Sequence, residues 1–215
     1  MTESRKFDNI SIKAADLGCS RGQYPVFEGI GFSLGCGQGL FVRGANGSGK
    51  TSLLMVMAGV LPHSGSLEIS RGGKEEDGNG APDSQLLHFI GIQNAIRPEL
   101  TLGQNLQFWA GICGGDEQRI PGALAEAGLS GLGNFSAGFL STGQKRRLSL
   151  CRLLVSHRPI WLLDEPTSAL DEQGDRWVGR MISKHLGMGG IVVAATHRPI
   201  EVENRDMVRS MGLGK

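Results

Sequence analysis

The five residues Leu140-Ser141-Thr142-Gly143-Gln144, LSTGQ, narrow the choice of fold more than any other stretch of this chain. They lie between a glycine-rich loop, Gly44 to Thr51, and an apolar segment, Ile160 to Pro166, that contains two adjacent carboxylates. A phosphate-binding loop alone occurs in several nucleotide-binding folds. The pentapeptide between the loop and the carboxylates is what separates these alternatives.

The glycine-rich loop, GANGSGKT, fits the pattern G-x-x-x-x-G-K-[ST] at every fixed position. Glycines let backbone N–H groups converge on phosphate oxygens, and a following helix presents its partial positive end to the anion. A chance glycine-rich turn is disfavoured because a strand candidate precedes the loop and a helix-compatible run, 51–60, follows it. We expect Lys50 to reach the β- and γ-phosphates and Thr51 to place its hydroxyl on Mg²⁺. The predicted phosphate-binding residues are Gly44, Ala45, Asn46, Gly47, Ser48, Gly49, Lys50, Thr51 and Ser52.

The segment Ile160 to Pro166, IWLLDEP, has the Walker B arrangement of an apolar strand followed by carboxylates. Ligands of parallel α/β sheets collect at the carboxyl ends of the strands, so these carboxylates are expected beside the phosphate loop. Asp164 is predicted to hold Mg²⁺ through water. Glu165 is predicted to orient or deprotonate the attacking water. The alternative, an acidic helix cap or loop start, is disfavoured by the other two motifs.

The alternation of apolar runs and helical patterns predicts an α/β fold. An antiparallel edge region is expected within residues 10–43, where short strand candidates include Ile30 to Leu34 and Leu40 to Arg43. Strands are also predicted at Leu86 to Ile92, Ile160 to Leu163 and Ile191 to Ala195, the last two central and parallel. Between them, three helical patterns predict a separate helical lobe: TLGQNLQFWAGI, PGALAEAGL and TGQKRRLSLCRLLVS.

Two polar stretches are interpreted as solvated surface. The run Arg71 to Ser84 is charged, glycine-rich and almost free of apolar residues, which is typical of a loop without a binding site. In the last helical pattern, Leu148, Cys151 and Val155 mark an apolar face. Its basic residues, Lys145, Arg146, Arg147 and Arg152, are expected on an exposed face, although a phosphate or nucleic-acid site is the alternative.

The bulk composition points to one compact cytoplasmic unit of 215 residues. With 22 Lys and Arg against 21 Asp and Glu, no broad surface for nucleic acid is expected. The four cysteines form no metal-binding or paired pattern, and we expect free thiols rather than disulfides or zinc ligands. The N-terminus lacks a secretory pattern, and no apolar run reaches the roughly 18 residues that a membrane span needs.

Together the motifs resemble those of ATP-binding cassette (ABC) ATPases, in the family's order and over nearly the whole chain. LSTGQ resembles the signature motif of that family, and the segment FIGIQNAIRPELT places Gln93 where the family has its Q-loop glutamine. Ser168 to Asp171 resembles the D-loop, and His197 resembles the H-loop histidine. Taken alone, His197 would be interpreted as a structural strand-end residue, and Gln93 would attract no notice.

This resemblance implies an ABC ATPase fold: a RecA-like P-loop core with an antiparallel β subdomain and an inserted helical subdomain. The expected division is 1–92 and 158–215 for the core and 93–157 for the helical part. ATP and Mg²⁺ are the implied ligands, with Gln93 touching Mg²⁺ and the catalytic water and His197 contacting the γ-phosphate. The signature residues act across a homodimer, so that Leu140, Ser141, Thr142, Gly143 and Gln144 cover nucleotide held by the second subunit. Ser168 and Asp171 are the residues that correspond to the D-loop.

The chain departs from the family pattern at two places. Thr142 stands where most members have the first glycine of the signature, whereas Gly143, where the family's backbone comes closest to the γ-phosphate, is kept. Many members also carry an aromatic residue that stacks on adenine near the position of Arg21. A guanidinium plane can stack on a base, so Arg21 is the predicted adenine contact, with Tyr24 or a plain surface loop as alternatives.

Within the family, the chain most resembles the ATP-binding subunits of haem-exporter complexes of cytochrome c maturation. The features that carry this are GIQNAIRPELT, STGQKRRLSLCRLL, WLLDEPTSALDEQG and THRPI. The resemblance implies membrane subunits of the CcmB and CcmC type, an indirect link to a periplasmic haem chaperone, and a peripheral location on the cytoplasmic face of the bacterial inner membrane. No haem motif is visible, and the remaining histidines are interpreted as structural or surface residues: His63, His88, His157 and His185.

Three other functions remain open at this point. The ATPase of another exporter, for lipid, metal or drug, has the same motifs because the cargo is recognised by the membrane subunits. A non-transport ABC protein acting on nucleic acid or the ribosome is disfavoured by the short interval between loop and signature and by the near-neutral charge. A nucleotide-binding scaffold without turnover is disfavoured by Glu165.

Overall fold

A computed structural model describes residues 7–72, 74–75 and 85–214 of the chain. The strands are β1 (Ile10–Arg21), β2 (Tyr24–Gly35), β3 (Gly39–Arg43), β4 (Ser64–Arg71), β5 (Lys74–Glu75), β6 (Leu87–Ile90), β7 (Ile160–Asp164), β8 (Ile191–Ala195) and β9 (Val208–Gly212). The helices are α1 (Lys50–Met57), α2 (Leu102–Cys113), α3 (Ile120–Glu126), α4 (Thr142–Leu150), α5 (Arg152–Val155) and α6 (Glu172–Gly187). Short 3-10 turns cover Glu117–Arg119, Ala137–Phe139 and Arg205–Met207.

A five-stranded sheet in the order β6-β7-β8-β3-β9 forms the centre of the molecule. All of its pairings are parallel. Every residue of β7 and β8 is buried, as expected for strands covered on both faces by other elements. The strand order places β7, β8 and β3 side by side, so their carboxyl ends share one edge.

A second sheet, in the order β2-β1-β4-β5, is antiparallel. Its strands β1 and β2 each run for 12 residues, longer than the short strands predicted from the glycine and proline turns. The register of the β1–β2 pair shifts at several points, so that both strands continue past the glycine and proline residues that were expected to end them. Of the loop predicted at Arg71 to Ser84, Arg71 ends β4 and residues 74–75 form β5. Residues 73 and 76–84 lie outside the described residues.

Helices α2 to α5 lie between β6 and β7, which agrees with a helical insertion. Thr101 and Gln104 form a reciprocal capping box at the start of α2, and Gly114 ends it in the left-handed conformation. The pattern predicted as one helix over 142–156 is divided at Cys151 into α4 and α5. A parallel core, an antiparallel sheet and an inserted helical region confirm the predicted fold class, whereas the proposed division at 92 and 158 stays a prediction.

The expectation of a solvated basic face on the last helical pattern is wrong for two residues. Arg146 and Arg152 are buried, with 2% and 7% of their surfaces exposed. Arg152 stacks on the Trp109 ring, with 3.4 Å between its guanidinium carbon and the ring centroid. The apolar face behaves as predicted, since Leu148, Cys151 and Val155 are buried. Two of the four basic side chains therefore face the interior.

The remaining sequence expectations concern cysteines, histidines and membrane spans. All four cysteines are free thiols. His88 and His185 are buried and bonded to backbone carbonyls, which fits the structural role expected of them. Across the described residues, no helix has the length and apolar character needed to cross a bilayer.

Candidate nucleotide-binding site

The predicted phosphate-loop residues, Asp164, Glu165 and His197 converge at the edge where β3, β7 and β8 end. The glycine-rich loop follows β3, Asp164 and Glu165 lie at the end of β7, and His197 follows β8. A cavity of about 540 Å³ opens there. It is lined by Arg21, Val26, Asn46, Gly47, Gly49, Lys50, Thr51, Ser52, Ile92, Asp164 and Glu165.

The loop from β3 to α1 depends on glycine for its shape. Gly49 precedes α1 with φ of 96°, in the region that side chains rarely adopt. A Cβ atom at Gly49 would also lie 2.8 Å from Cγ1 of Val26. The buried Lys50 ammonium donates to the carbonyl oxygens of Gly44 and Ala45, at 2.8 and 2.9 Å. The positive charge is therefore held within the loop, at the start of α1.

Thr51 and Asp164 join the loop to β7. The Thr51 hydroxyl donates to Oδ2 of Asp164 at 2.8 Å, and Asp164 is 1% exposed. Burial raises the pKa of the Asp164 carboxyl, while the hydrogen bond from Thr51 and the charges of Arg146 and Lys50 oppose the rise. A hydroxyl and a carboxylate side by side are hard oxygen ligands of the kind that Mg²⁺ takes together with phosphate and water. The donor set therefore fits the ion implied by the sequence.

Glu165 is held in an uncommon backbone conformation, with φ of 47°. Its N–H donates to the Ala195 carbonyl at 2.8 Å. Its carboxylate lies 2.8 Å from Nδ1 of His197 and also accepts from the His197 backbone N–H at 3.5 Å. The structure thus brings together two of the three residues predicted to be catalytic, on the ends of neighbouring strands. Of these two, Glu165 lines the cavity and His197 does not.

Gln93, the third, is not brought to the cavity either. It follows β6 with an exposed side chain, and its neighbour Ile92 lines the cavity instead. Of the two candidates for the adenine contact, Arg21 lines the cavity, whereas Tyr24 is 80% exposed and does not. Val26 and Ile92 also line the cavity and were not predicted from the sequence, because isolated apolar residues carry no chemical signal.

The signature residues lie outside the cavity of their own chain. Ser141 caps α4 by accepting from the Gln144 N–H at 3.2 Å, and the Gln144 side chain accepts in turn from the Ser141 N–H at 2.9 Å. Ser141 and Thr142 are exposed, whereas Leu140 is buried. A Cβ atom at Gly143 would lie 2.9 Å from the Ala169 carbonyl oxygen. The helix N-terminus with its exposed hydroxyls is therefore free to face another molecule.

The segment resembling a D-loop connects β7 to α6. The Ser168 N–H donates to the Glu165 carbonyl at 2.9 Å, and the Ser168 side chain is exposed. Asp171 caps α6 by accepting from the Gly174 N–H at 2.8 Å, and it accepts from Arg147 at the same distance. The Gly174 hydrogen bond, followed by Arg147, lowers the pKa of Asp171. This carboxylate is thus held on α6 and linked to α4.

Comparison with known proteins places the chain in a family. The model of a family described as ABC transporter matches residues 27–168. A cytochrome c biogenesis ATP-binding export protein, CcmA, of Rhodopseudomonas palustris strain BisB5 is 45% identical over 89% of this chain and 94% of its own length. The protein of the same name from Mesorhizobium japonicum is 42% identical over 90% of this chain and 95% of its own length.

The fold agrees with that relationship. A solved ATP-binding protein of an ABC transporter from Pyrococcus furiosus superimposes with a TM-score of 0.78 at 25% identity, covering 93% of this chain and 96% of its own. Both the motifs and the sheet order are thus accounted for by one family. This chain belongs to the ABC transporter family, as an ATP-hydrolysing member of the group of cytochrome c biogenesis ATP-binding export proteins.

Proposed function

We propose that two copies of this chain bind two molecules of Mg²⁺-ATP between them and hydrolyse them to drive a membrane transporter. The observation that carries this proposal is the separation of the motifs. The cavity contains the phosphate loop, Asp164 and Glu165, whereas none of the five signature residues lines it. A second copy supplies exposed Ser141 and the Gly143 backbone to the γ-phosphate and completes the stabilisation of charge there.

Within one chain, the phosphate loop holds the nucleotide. Backbone N–H groups of residues 44–52 and the Lys50 ammonium bind the phosphate oxygens, with α1 directing its positive end at them. The Thr51 hydroxyl and Asp164, through water, are the ligands offered to Mg²⁺, which neutralises phosphate charge when bound. Arg21 borders the cavity and stacks its guanidinium plane on the adenine.

Hydrolysis depends on Glu165 and His197. The Glu165 carboxylate lies at the cavity wall and orients or deprotonates the attacking water. His197, bonded to that carboxylate at 2.8 Å, fixes its direction and reaches the γ-phosphate when the nucleotide is present. Gln93 joins this group by a movement of the exposed segment that follows β6, since its side chain does not line the cavity. Loss of the γ-phosphate then weakens the contact between the two copies, and they separate.

A Glu165→Gln substitution tests the hydrolytic role. We expect phosphate release to be largely abolished while ATP binding persists, so that Mg²⁺-ATP converts the variant from monomer to dimer in sedimentation velocity. Glu172→Gln provides a matched control, because this carboxylate is exposed on α6 and pairs only with Arg176 among the described residues. Phosphate release by Glu165→Gln equal to that of the parent, measured with membrane subunits present, would remove Glu165 from its role.

We further propose that the membrane partners are of the CcmB and CcmC type. ATP hydrolysis at the cytoplasmic face of the inner membrane then drives a step in the delivery of haem to a periplasmic chaperone. This proposal is supported by the similarity to cytochrome c biogenesis ATP-binding export proteins. Exposed apolar side chains in and near the helical region, Ile92, Phe108, Ile112, Phe135 and Phe139, offer contact area for a membrane subunit.

Complementation tests this assignment. A bacterium that lacks its own cytochrome c biogenesis ATP-binding protein receives this chain, and holocytochromes c are measured by haem staining. We expect the parent to restore them and Lys50→Ala to fail at equal protein level. Co-purification with the subunits of a lipid, metal or drug exporter, without restored cytochromes, would instead support the alternative that the chain drives another exporter.

A further inference from the structure

Arg146, two residues after the signature pentapeptide, makes an unusually complete set of hydrogen bonds. Its guanidinium group has five N–H donors, and five acceptors surround it. Nε donates to the Pro166 carbonyl at 3.2 Å, and Nη2 donates to the carbonyls of Asp164 at 2.6 Å and Glu165 at 2.9 Å. Nη1 donates to the Gly91 carbonyl at 2.8 Å and to the Asn94 side chain at 3.3 Å.

These acceptors come from segments that are far apart along the chain. Three belong to the last residue of β7 and to the turn after it, which carries Glu165. The other two belong to the segment after β6, which carries Gln93. The side chain itself belongs to α4, whose N-terminus is the signature. The buried guanidinium group of Arg146 therefore connects α4, the helix that begins at the signature, with the ends of β6 and β7.

Nearby carboxylates and complete hydrogen bonding compensate for the burial of the Arg146 positive charge. Desolvation lowers the pKa of Arg146, while the neighbouring carboxylates of Asp164 and Glu165 raise it. Guanidinium stays protonated in proteins and is more weakly hydrated than an ammonium group. Burying an arginine costs less free energy when every N–H donor has an acceptor than when some donors have none. The planar geometry of the guanidinium group also fixes the positions of its acceptors.

The turn that Arg146 holds is the one that needs support. A non-glycine residue with φ of 47°, such as Glu165, keeps this unfavourable conformation only where several contacts of the surrounding structure hold it there. The Glu165 carbonyl is fixed by Arg146 and by the Ser168 N–H, and the Glu165 N–H is fixed by Ala195. Arg146 supplies a bond to each of three successive carbonyls at this turn.

We propose that Arg146 is a positioning residue for hydrolysis, which holds the Glu165 turn and residues 91–94 in register with the signature helix. The proposal rests on the hydrolytic role proposed above for Glu165. Arg146 is not among the residues that line the nucleotide cavity, so it acts through the groups that it orients and not on the nucleotide. Its loss is expected to affect turnover more than binding, because a small displacement of a catalytic group is enough to cost about a hundredfold in rate.

The test compares Arg146→Lys with Arg152→Lys. Lysine keeps the charge and has three donors without the planar fork. Arg152 is also buried, but it stacks on Trp109 and, among the described residues, makes no hydrogen bond to the proposed site. Arg152→Lys therefore reports the effect of replacing a buried arginine alone. For Arg146→Lys we expect kcat to fall about tenfold or more, with KM for ATP within about twofold of the parent. Arg152→Lys is expected to keep the kcat of the parent.

Amide hydrogen exchange on the same proteins gives a readout that does not depend on turnover. In Arg146→Lys, we expect faster exchange in residues 91–94 and in residues 165–168 together, and no such change in Arg152→Lys. A parent without ATPase activity would defeat the hydrolytic role of Glu165, while joint acceleration of both segments would still show that Arg146 holds them. If the parent is active and Arg146→Lys exchanges its amide hydrogens in both segments at the same rates as the parent, the positioning role is overturned.

Two kinetic results also overturn the proposal. One is an unchanged kcat in folded Arg146→Lys. The other is a parallel loss of kcat, ATP affinity and melting temperature in both arginine variants, which would mark a general structural role. If Arg146→Lys does not fold, Asn94→Ala replaces it, since it removes one of the five acceptors. A lower kcat at constant KM in that variant supports the proposal, and an unchanged kcat contradicts it.

Discussion

Two buried histidines make the stability of this protein sensitive to acid. His88 and His185 are buried, and each accordingly has its pKa lowered from 6.5 to about 3, chiefly by desolvation. Because the folded state binds fewer protons than the unfolded state between these values, the stabilisation is present above about pH 6.5 and is lost as the pH falls toward 3. A pH of about 5 lies about 1.5 units below the pKa of each histidine in the unfolded state. Each histidine therefore lowers the free energy of unfolding by about 2 kcal/mol at this pH, and the two together lower it by about 4 kcal/mol.

That loss is large beside the roughly 5–15 kcal/mol by which domains are stable. Urea unfolding at about pH 7.5 and about pH 5 measures it, with Trp161 fluorescence as a probe because this indole is buried and stacks on His185. His88→Gln is expected to reduce the difference between the two pH values by about 2 kcal/mol, whatever its effect at neutral pH.

The matched control is His63→Gln, which removes a partly exposed imidazole and is expected to keep the pH difference of the parent. The reasoning fails if His88→Gln and the parent lose the same free energy of unfolding on acidification, since His88 would then be protonated in the folded protein.

Two further predictions concern the site and the helical region. Gly49→Ala is expected to lower the free energy of unfolding by about 1–3 kcal/mol and to weaken binding of a fluorescent ATP analogue, because φ is 96° and the new methyl meets Val26. Gly111→Ala, in the open interior of α2, is the control and should be neutral or stabilising, and equal ATP affinity in both variants would contradict the strain argument. Thr101→Ala removes the cap of α2 and is expected to cost about 1 kcal/mol in urea unfolding. Thr101→Ser keeps a hydroxyl and should retain most of that stability, and a loss equal to that of alanine would exclude capping as the cause.

The sequence predicted the elements whose signals are local. Glycine spacing around Lys50 and the carboxylates after an apolar run each occupy fewer than ten consecutive residues. The structure places them at the ends of β3 and β7, which lie on either side of β8 at the same edge of the sheet. The apolar runs of β7 and β8 predicted these strands, and both strands are buried. His197 and Gln93 carry no local signal of their own, and their roles could be predicted only from the order of all the motifs along the chain.

Long-range partners explain what the sequence did not show. Arg146 was expected on a solvated face, because a run of basic residues looks polar locally, and its acceptors lie 18 to 55 positions away in sequence. Arg152 is buried by Trp109 from another helix. Strands β4 and β9 were not predicted because both are largely polar or half-buried, and each takes its conformation from pairing with a strand distant in sequence.

In the proposed mechanism, the signature of one copy acts on nucleotide held by the other. Mixing two inactive variants, Lys50→Ala and Ser141→Arg, in the complex with the membrane subunits tests it directly. Random pairing gives about half mixed dimers, each with one intact site, so ATPase activity should recover to about a quarter of the parent value. Each variant alone should be inactive. Activity of the mixture no greater than that of the separate variants would contradict action between copies.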